Sequence, residues 1–169
     1  DLVEPGQPIG TAKFHVVAAK DQPASHRDGL GENGEVDAFH AAAKNEVAKG
    51  ESRNVLQESA RIARGEVVDA AGIGADDFDA LIFPGGFGAA KNLCDFAVSG
   101  ADCSVHPEVE RVVKETVAAA KPLGVICIAP AMAAAALRDA PGAKLTIGND
   151  SGTAKAMESM GAKHVDKAV

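Results

Sequence analysis

A cysteine at the end of an apolar run is the first residue with chemistry to offer. Leu123-Gly124-Val125-Ile126 reads as a buried strand, and Ala129-Pro130-Ala131 as a helix start, where proline is tolerated in the first turn. Cys127 falls at the turn between them. A side chain at such a turn stands exposed at the top of the sheet, the geometry of a nucleophile elbow. The helix N-terminus favours a thiolate there, and the Ile128 backbone N–H can serve a developing oxyanion. Position alone leaves a second reading open, a buried structural cysteine, because free Cys is among the most buried residue types.

The second chemical segment is Phe83-Pro84-Gly85-Gly86-Phe87-Gly88-Ala89-Ala90-Lys91-Asn92-Leu93. Adjacent glycines after a strand free the backbone to take positive φ and to present N–H groups to an anion. The plainer alternative is a tight strand-to-helix turn. No Gly-Lys-Ser/Thr follows, so it is not a Walker loop, and the glycine spacing is not that of the dinucleotide fingerprint.

Other reactive side chains are sparse. The three cysteines, Cys94, Cys103 and Cys127, contain no Cys-x-x-Cys pair and no His at a metal-ligand spacing, so neither a disulfide framework nor a zinc site is expected. Cys94 and Cys103 read as packing or surface thiols. His15 and His40 read as solvated, and His106, before Pro107, as lying near a helix cap. Asp150 is a candidate polar partner beyond the Leu145–Gly148 strand, although it reads first as a helix N-cap with Ser151.

These residues need elements to position them. Residues 11–19 and 66–69 read as short strands, and Asp79-Ala80-Leu81-Ile82-Phe83 as a buried one. Residues 20–34 read as a polar loop, 35–49 as an Ala-rich surface helix, and 20–50 together as a surface insertion. A helix is expected over 53–64, capped by Ser52. A strong one is expected over 107–120, with Val109, Val112, Val113 and Val117 on one face. Strand 123–126, helix 129–138, strand 144–147, helix 152–160 and strand 162–165 follow. Continuous apolar strands separated by helices argue for a parallel sheet covered on both faces. Ligands in such sheets bind beyond the carboxyl ends of the strands, where Cys127 and the glycine segment lie.

Composition agrees with one domain. Hydrophobic residues make up 46% and charged residues 24%, which excludes wholesale disorder. Aromatics are 4%, so the core must come from Ala, Val, Leu and Ile. The net charge of −7 argues against a nucleic-acid backbone binder, and no apolar run reaches the ~20 residues of a membrane span. The opening Asp1-Leu2-Val3-Glu4-Pro5-Gly6 has no Met and no signal-peptide pattern, as in a processed or incomplete N-terminus.

The elbow and the glycine segment, in this order and about forty residues apart, resemble the ThiJ/PfpI, class I glutamine-amidotransferase-like superfamily. The finer resemblance is to the ElbB-like glyoxalase family, also described as isoprenoid-biosynthesis or lycopene-enhancing proteins, and within it to mitochondrial eukaryotic members. The text that carries it runs Glu51-Ser52-Arg53-Asn54-Val55-Leu56-Gln57-Glu58-Ser59-Ala60-Arg61-Ile62-Ala63-Arg64-Gly65, then Pro84 to Leu93. It continues through Asp95-Phe96-Ala97, Lys121-Pro122-Leu123-Gly124, Cys127-Ile128-Ala129-Pro130-Ala131 and Leu145-Thr146-Ile147-Gly148.

The resemblance implies an α/β, flavodoxin-like three-layer sandwich with a mainly parallel central sheet. It implies conversion of glyoxal and other small 2-oxoaldehydes to the hydroxy acid through a Cys127 hemithioacetal. Gly85, Gly86 and Ile128 would bind the oxyanion, with Asn92 or Asp150 as a polar partner. It implies no cofactor and no metal, a small aldehyde as the ligand, a homo-oligomer, and a mitochondrial location, with cytoplasm and plastid as alternatives. No nucleic-acid or membrane partner is expected.

The sequence departs from the pattern at both ends. The family's first strand, Gly-Cys-Gly turn and helix with an acidic proton shuttle have no counterpart here, nor does its final strand and helix. Residues 1–169 are therefore expected to be a single but partial domain. His164 is the only His after Cys127, and no His-x-Glu follows it, so glutaminase activity is not expected. Two competing readings remain on this scaffold: a redox-sensing or protective protein that oxidises at Cys127, and a non-catalytic binding subunit.

Overall fold

The computed structural model describes residues 17–18, 59–61, 63–64 and 67–167. The expected loop 20–34, helix 35–49, Ser52 cap and most of helix 53–64 lie outside them; residues 59–61 and 63 are helical, as read.

The described strands form three parallel pairs. β1 (Val17–Ala18) pairs with β2 (Val68–Asp69), β3 (Leu81–Phe83) with β4 (Leu123–Val125), and β5 (Lys144–Leu145) with β6 (Lys163–His164). Helices separate β3 from β4 and β4 from β5, so each return to the sheet is a crossover of the α/β kind. They are α1 (Phe96–Ser99), α2 (Pro107–Ala118), α3 (Ala129–Ala136) and α4 (Ser151–Ser159). The parallel α/β architecture is as expected, with strands shorter than the apolar runs that announced them.

α2 shows why its sequence is a helix. Pro107 occupies the first turn, where its missing N–H costs nothing, and the His106 Nδ1 accepts from the Glu108 N–H at 3.3 Å. Val109, Val112 and Val113 are buried, but Val117 is 45% exposed and Thr116 takes its place in the core. At about 100° per residue, position 116 returns to the azimuth of Val109 whereas 117 overshoots it. The Thr116 hydroxyl is satisfied by donating to the Val112 carbonyl at 2.6 Å.

α3 is buried on every side, and its eight residues include six alanines. It separates two packed clusters. One contains Ile73, Phe78, Leu81, Val112, Val113 and Met132; the other contains Cys103, Ala134, Met157 and Met160. All three methionines of the chain are therefore core residues, which corrects the expected Ala/Val/Leu/Ile core. A helix of alanines leaves irregular gaps, and unbranched, polarizable Met side chains fill such gaps.

Two cations fasten the loops below the sheet. The Arg111 guanidinium donates to Glu108, Glu115 and the carbonyls of Ala70 and Ile73, and the two carboxylates push its pKa up. Lys121 donates to the carbonyls of Ala75 and Phe78 at 2.6 and 2.8 Å. Two short 3-10 turns, Ala70–Gly72 and Ala75–Asp77, are thereby tied to α2 and to the segment before β4, whose Pro122 carbonyl accepts from the Leu81 N–H.

Candidate functional site

The β3–β4 register builds the site. Leu81, Ile82 and Phe83 face Leu123, Gly124 and Val125. The Ile126 N–H donates to the Phe83 carbonyl at 3.0 Å, carrying the pairing past the last strand residue. Two residues further along this register, Gly85 falls beside Cys127.

Contact between the two is close. A Cβ on Gly85 would lie 2.4 Å from the Ile126 carbonyl oxygen and 2.7 Å from the Cys127 Cβ. Gly85 has φ +86°, so position and conformation both require glycine. Gly86 has φ +79°, but the space where its side chain would stand is open. The two glycines differ in role: the first lets the loops touch, and the second leaves room above them.

Cys127 has φ +59°, in the left-handed region that a non-glycine residue enters at a cost of about 1–2 kcal/mol. It is exposed, while Ala129, two residues on, is completely buried. The Ala129 N–H donates to the Ile126 carbonyl at 3.1 Å, closing the turn around Cys127. Ile128 is the N-cap of α3. An exposed thiol on a strained strand-to-helix turn is the elbow arrangement, and the buried-cysteine alternative does not describe it.

The glycine segment then enters a short π-helix, Ala89–Leu93, a form that concentrates at functional sites. Asn92 lies on it, with its Nδ2 3.4 Å from the point where a Gly88 Cβ would stand, so its amide lies over the glycine segment. The Lys91 ammonium lies 4.4 Å from the centre of the Phe87 ring. Gly85, Gly86, Cys127 and Ile128 thus come together, with Asn92 at the glycine side.

Asp150 is held by a different task. It is the N-cap of α4, accepting from the Thr153 N–H at 2.6 Å, and that hydrogen bond lowers its pKa. His164 lies on β6 opposite Leu145, and its Nε2 is buried without a hydrogen-bond partner among the described residues. Among the described residues no group of three or more His, Cys, Asp or Glu converges to hold a metal ion. No described helix is long and apolar enough to cross a membrane.

Sequence reasoning missed the contact between Gly85 and the elbow, whose only trace in the sequence is a doubled glycine. It also missed that the segments holding Cys94 and Cys103 pair with each other. Those two cysteines lie nine positions apart, and the antiparallel bridge between Cys94 and Val105 brings their segments together.

No family model matches the chain. Among curated proteins it is 53% identical over 135 residues to the human mitochondrial glutamine amidotransferase-like class 1 domain-containing protein 3, covering 75% of this chain and 49% of that protein. It is 51% identical to the rat mitochondrial ES1 protein homolog, over 75% of this chain and 50% of the relative. The zebrafish mitochondrial ES1 protein is 34% identical, over 72% and 50% respectively. The chain spans about half the length of the curated relatives it matches. Among solved structures, an isoprenoid biosynthesis protein with amidotransferase-like domain from Ehrlichia chaffeensis superposes with a TM-score of 0.62 at 41% identity. That match covers 73% of this chain and 56% of the other. The relatives' mitochondrial names support the expected mitochondrial location. Over about three quarters of its length the chain is similar to these class I glutamine amidotransferase-like proteins, and it has their amidotransferase-like fold.

Proposed function

We propose that this chain carries the catalytic cysteine of a cofactor-independent glyoxalase that converts glyoxal, or another small 2-oxoaldehyde, to the hydroxy acid. The observation that carries the reading is the exposed, positive-φ Cys127 seated against Gly85.

The Cys127 thiolate adds to one aldehyde carbon, forming a C–S bond and an oxyanion that becomes the hemithioacetal hydroxyl. Backbone N–H groups of Gly85, Gly86 and Ile128 stabilise that oxyanion. The hemithioacetal C–H proton then moves to the neighbouring carbonyl carbon through an enediol, giving a thioester of glycolic acid. Water cleaves the thioester, releasing glycolate and the thiol. One water is consumed and no net oxidation occurs, so the chemistry balances without a redox partner. The proton transfer calls for a side-chain base, a role the family resemblance gives to an acidic residue of the first helix.

Glycolate formation from glyoxal by the native protein tests the reading. Turnover in the native sequence and its loss in Cys127→Ala is the expected result. Peroxide oxidation of Cys127 with no turnover would instead select a protective thiol. An unreactive Cys127 would select a binding role.

A further inference from the structure

The loop that carries Gly86 is anchored from inside the fold. The Ala89 N–H donates to the Gly86 carbonyl at 3.0 Å. The Ala89 carbonyl in turn accepts from the Cys94 thiol at 3.3 Å. A thiol is a weak donor, but Ala89 is 4% and Cys94 3% exposed, so water does not compete for this bond. Two hydrogen bonds in series therefore connect a buried sulfur to the glycine segment beside Cys127.

The two ends of this series differ in rigidity. Gly85 and Gly86 both have positive φ, +86° and +79°, and glycine holds no conformation by itself. Cys94 is fixed on several sides. It pairs with Val105 in an antiparallel bridge. Next to it, the His106 N–H donates to the Leu93 carbonyl at 2.8 Å and the Asp95 N–H to the Ser104 carbonyl at 3.2 Å. Its side chain belongs to the cluster of Val109, Val112, Val113 and Met132. Cys94 is five positions past Ala89, the span of one π-helical turn, so its thiol clasps the Ala89–Leu93 helix that also carries Asn92.

We infer that Cys94 is a positioning residue for the elbow: its thiol proton holds Ala89, and Ala89 holds the loop that presents Gly86 to the oxyanion. This rests on the glyoxalase reading of Cys127, and Cys94 acts through Ala89 rather than on the substrate. Losing an oxyanion donor outright costs about 10²–10³ in kcat, and a donor that stays but is loosely held costs less, about tenfold. An interaction made in the transition state lowers kcat and kcat/KM together, so KM stays within about twofold. Cys103 is the matched comparison. It is 2% exposed, and its Sγ faces the Met160 Sδ at 4.0 Å in the other cluster, away from the glycine segment.

The test compares Cys94→Ala, Cys94→Ser and Cys103→Ala with the native protein, in glyoxal kinetics and in amide hydrogen exchange resolved by residue. Cys94→Ala should lower kcat about tenfold with KM held, and should speed exchange at Ala89 relative to Val113 of α2. Serine restores a donor and should recover most of both. Cys103→Ala should leave both native. Cys94→Val, which also lacks a donor but leaves no cavity, replaces alanine if that variant does not fold. Unchanged kcat or unchanged Ala89 exchange in the donorless variant overturns the proposal, as does an equal loss in Cys103→Ala or a serine variant no better than alanine. A native protein without turnover overturns the glyoxalase reading instead, and Ala89 exchange alone then decides whether Cys94 holds the loop.

Discussion

The three cysteines occupy two environments that differ in geometry. Cys127 follows a strand, precedes a helix and stands exposed on a left-handed backbone. Cys94 and Cys103 flank α1, are buried, and have extended backbone with φ of −151° and −61°. The first thiol is presented outward by backbone strain, and the other two are buried in separate packed clusters. Reactivity toward a diffusing aldehyde calls for the first arrangement, and a packing role calls for the second.

The most damaging change separates chemistry from fold. Cys127→Ala should abolish glyoxal turnover while leaving the circular dichroism spectrum and melting curve unchanged within error. Cys127→Gly should also abolish turnover yet raise stability by about 1 kcal/mol, because glycine relieves the left-handed strain. Urea denaturation of the two variants reads this difference. A Cys127→Gly variant no more stable than Cys127→Ala breaks the claim that strain presents the thiol.

Next in size is the glycine pair. Gly85→Ala should cost about 3 kcal/mol or more, combining a left-handed alanine with a clash against the Ile126 carbonyl. Gly86→Ala should cost only the conformational part, about 1–2 kcal/mol. Equal midpoint shifts in urea for the two would contradict the close approach at Gly85.

The buried pair should respond more mildly. Cys103→Ala removes a sulfur from the cluster with Met157 and Met160 and should cost about 1–2 kcal/mol, with turnover at Cys127 retained. Thermal melts and the glyoxal assay run side by side test it, and loss of turnover in that variant would couple the two regions.

The smallest effect belongs to Asp150. Its pKa is lowered in the folded chain by the Thr153 N–H. The stabilisation it contributes is therefore present above the usual carboxylate range and fades as pH falls through the lowered value. Asp150→Asn keeps a capping oxygen but should flatten that acid-side dependence slightly, with turnover at neutral pH unchanged. A large loss of turnover would instead give Asp150 a place beside Cys127. Melting temperature against pH for both proteins makes the comparison.

Legibility in the sequence followed the range of the interactions. Helix α2 was readable because Pro107, His106 and the valine spacing act within a few residues. The exposed Val117 was misread because a spacing rule does not weigh how far each position turns from the core. Strands β3 and β4 were readable as apolar runs, and their order in the chain placed Cys127 and the glycines at carboxyl ends. The π-helix was not readable, since Ala89–Leu93 carries no residue that separates it from an ordinary helix start. The seating of Gly85 on Cys127 depends on a pairing between distant segments, which no local pattern encodes.

The close approach of Gly85 to the elbow also has a kinetic meaning. The contact joins residues about forty positions apart, with α2 between them, so it cannot form while either strand is unpaired. Contacts of such separation pay loop-closure entropy before they are rewarded. The outward-pointing Cys127 is thus absent from early, locally ordered states, and its distinctive alkylation rate during refolding would report when the two halves of the sheet have joined.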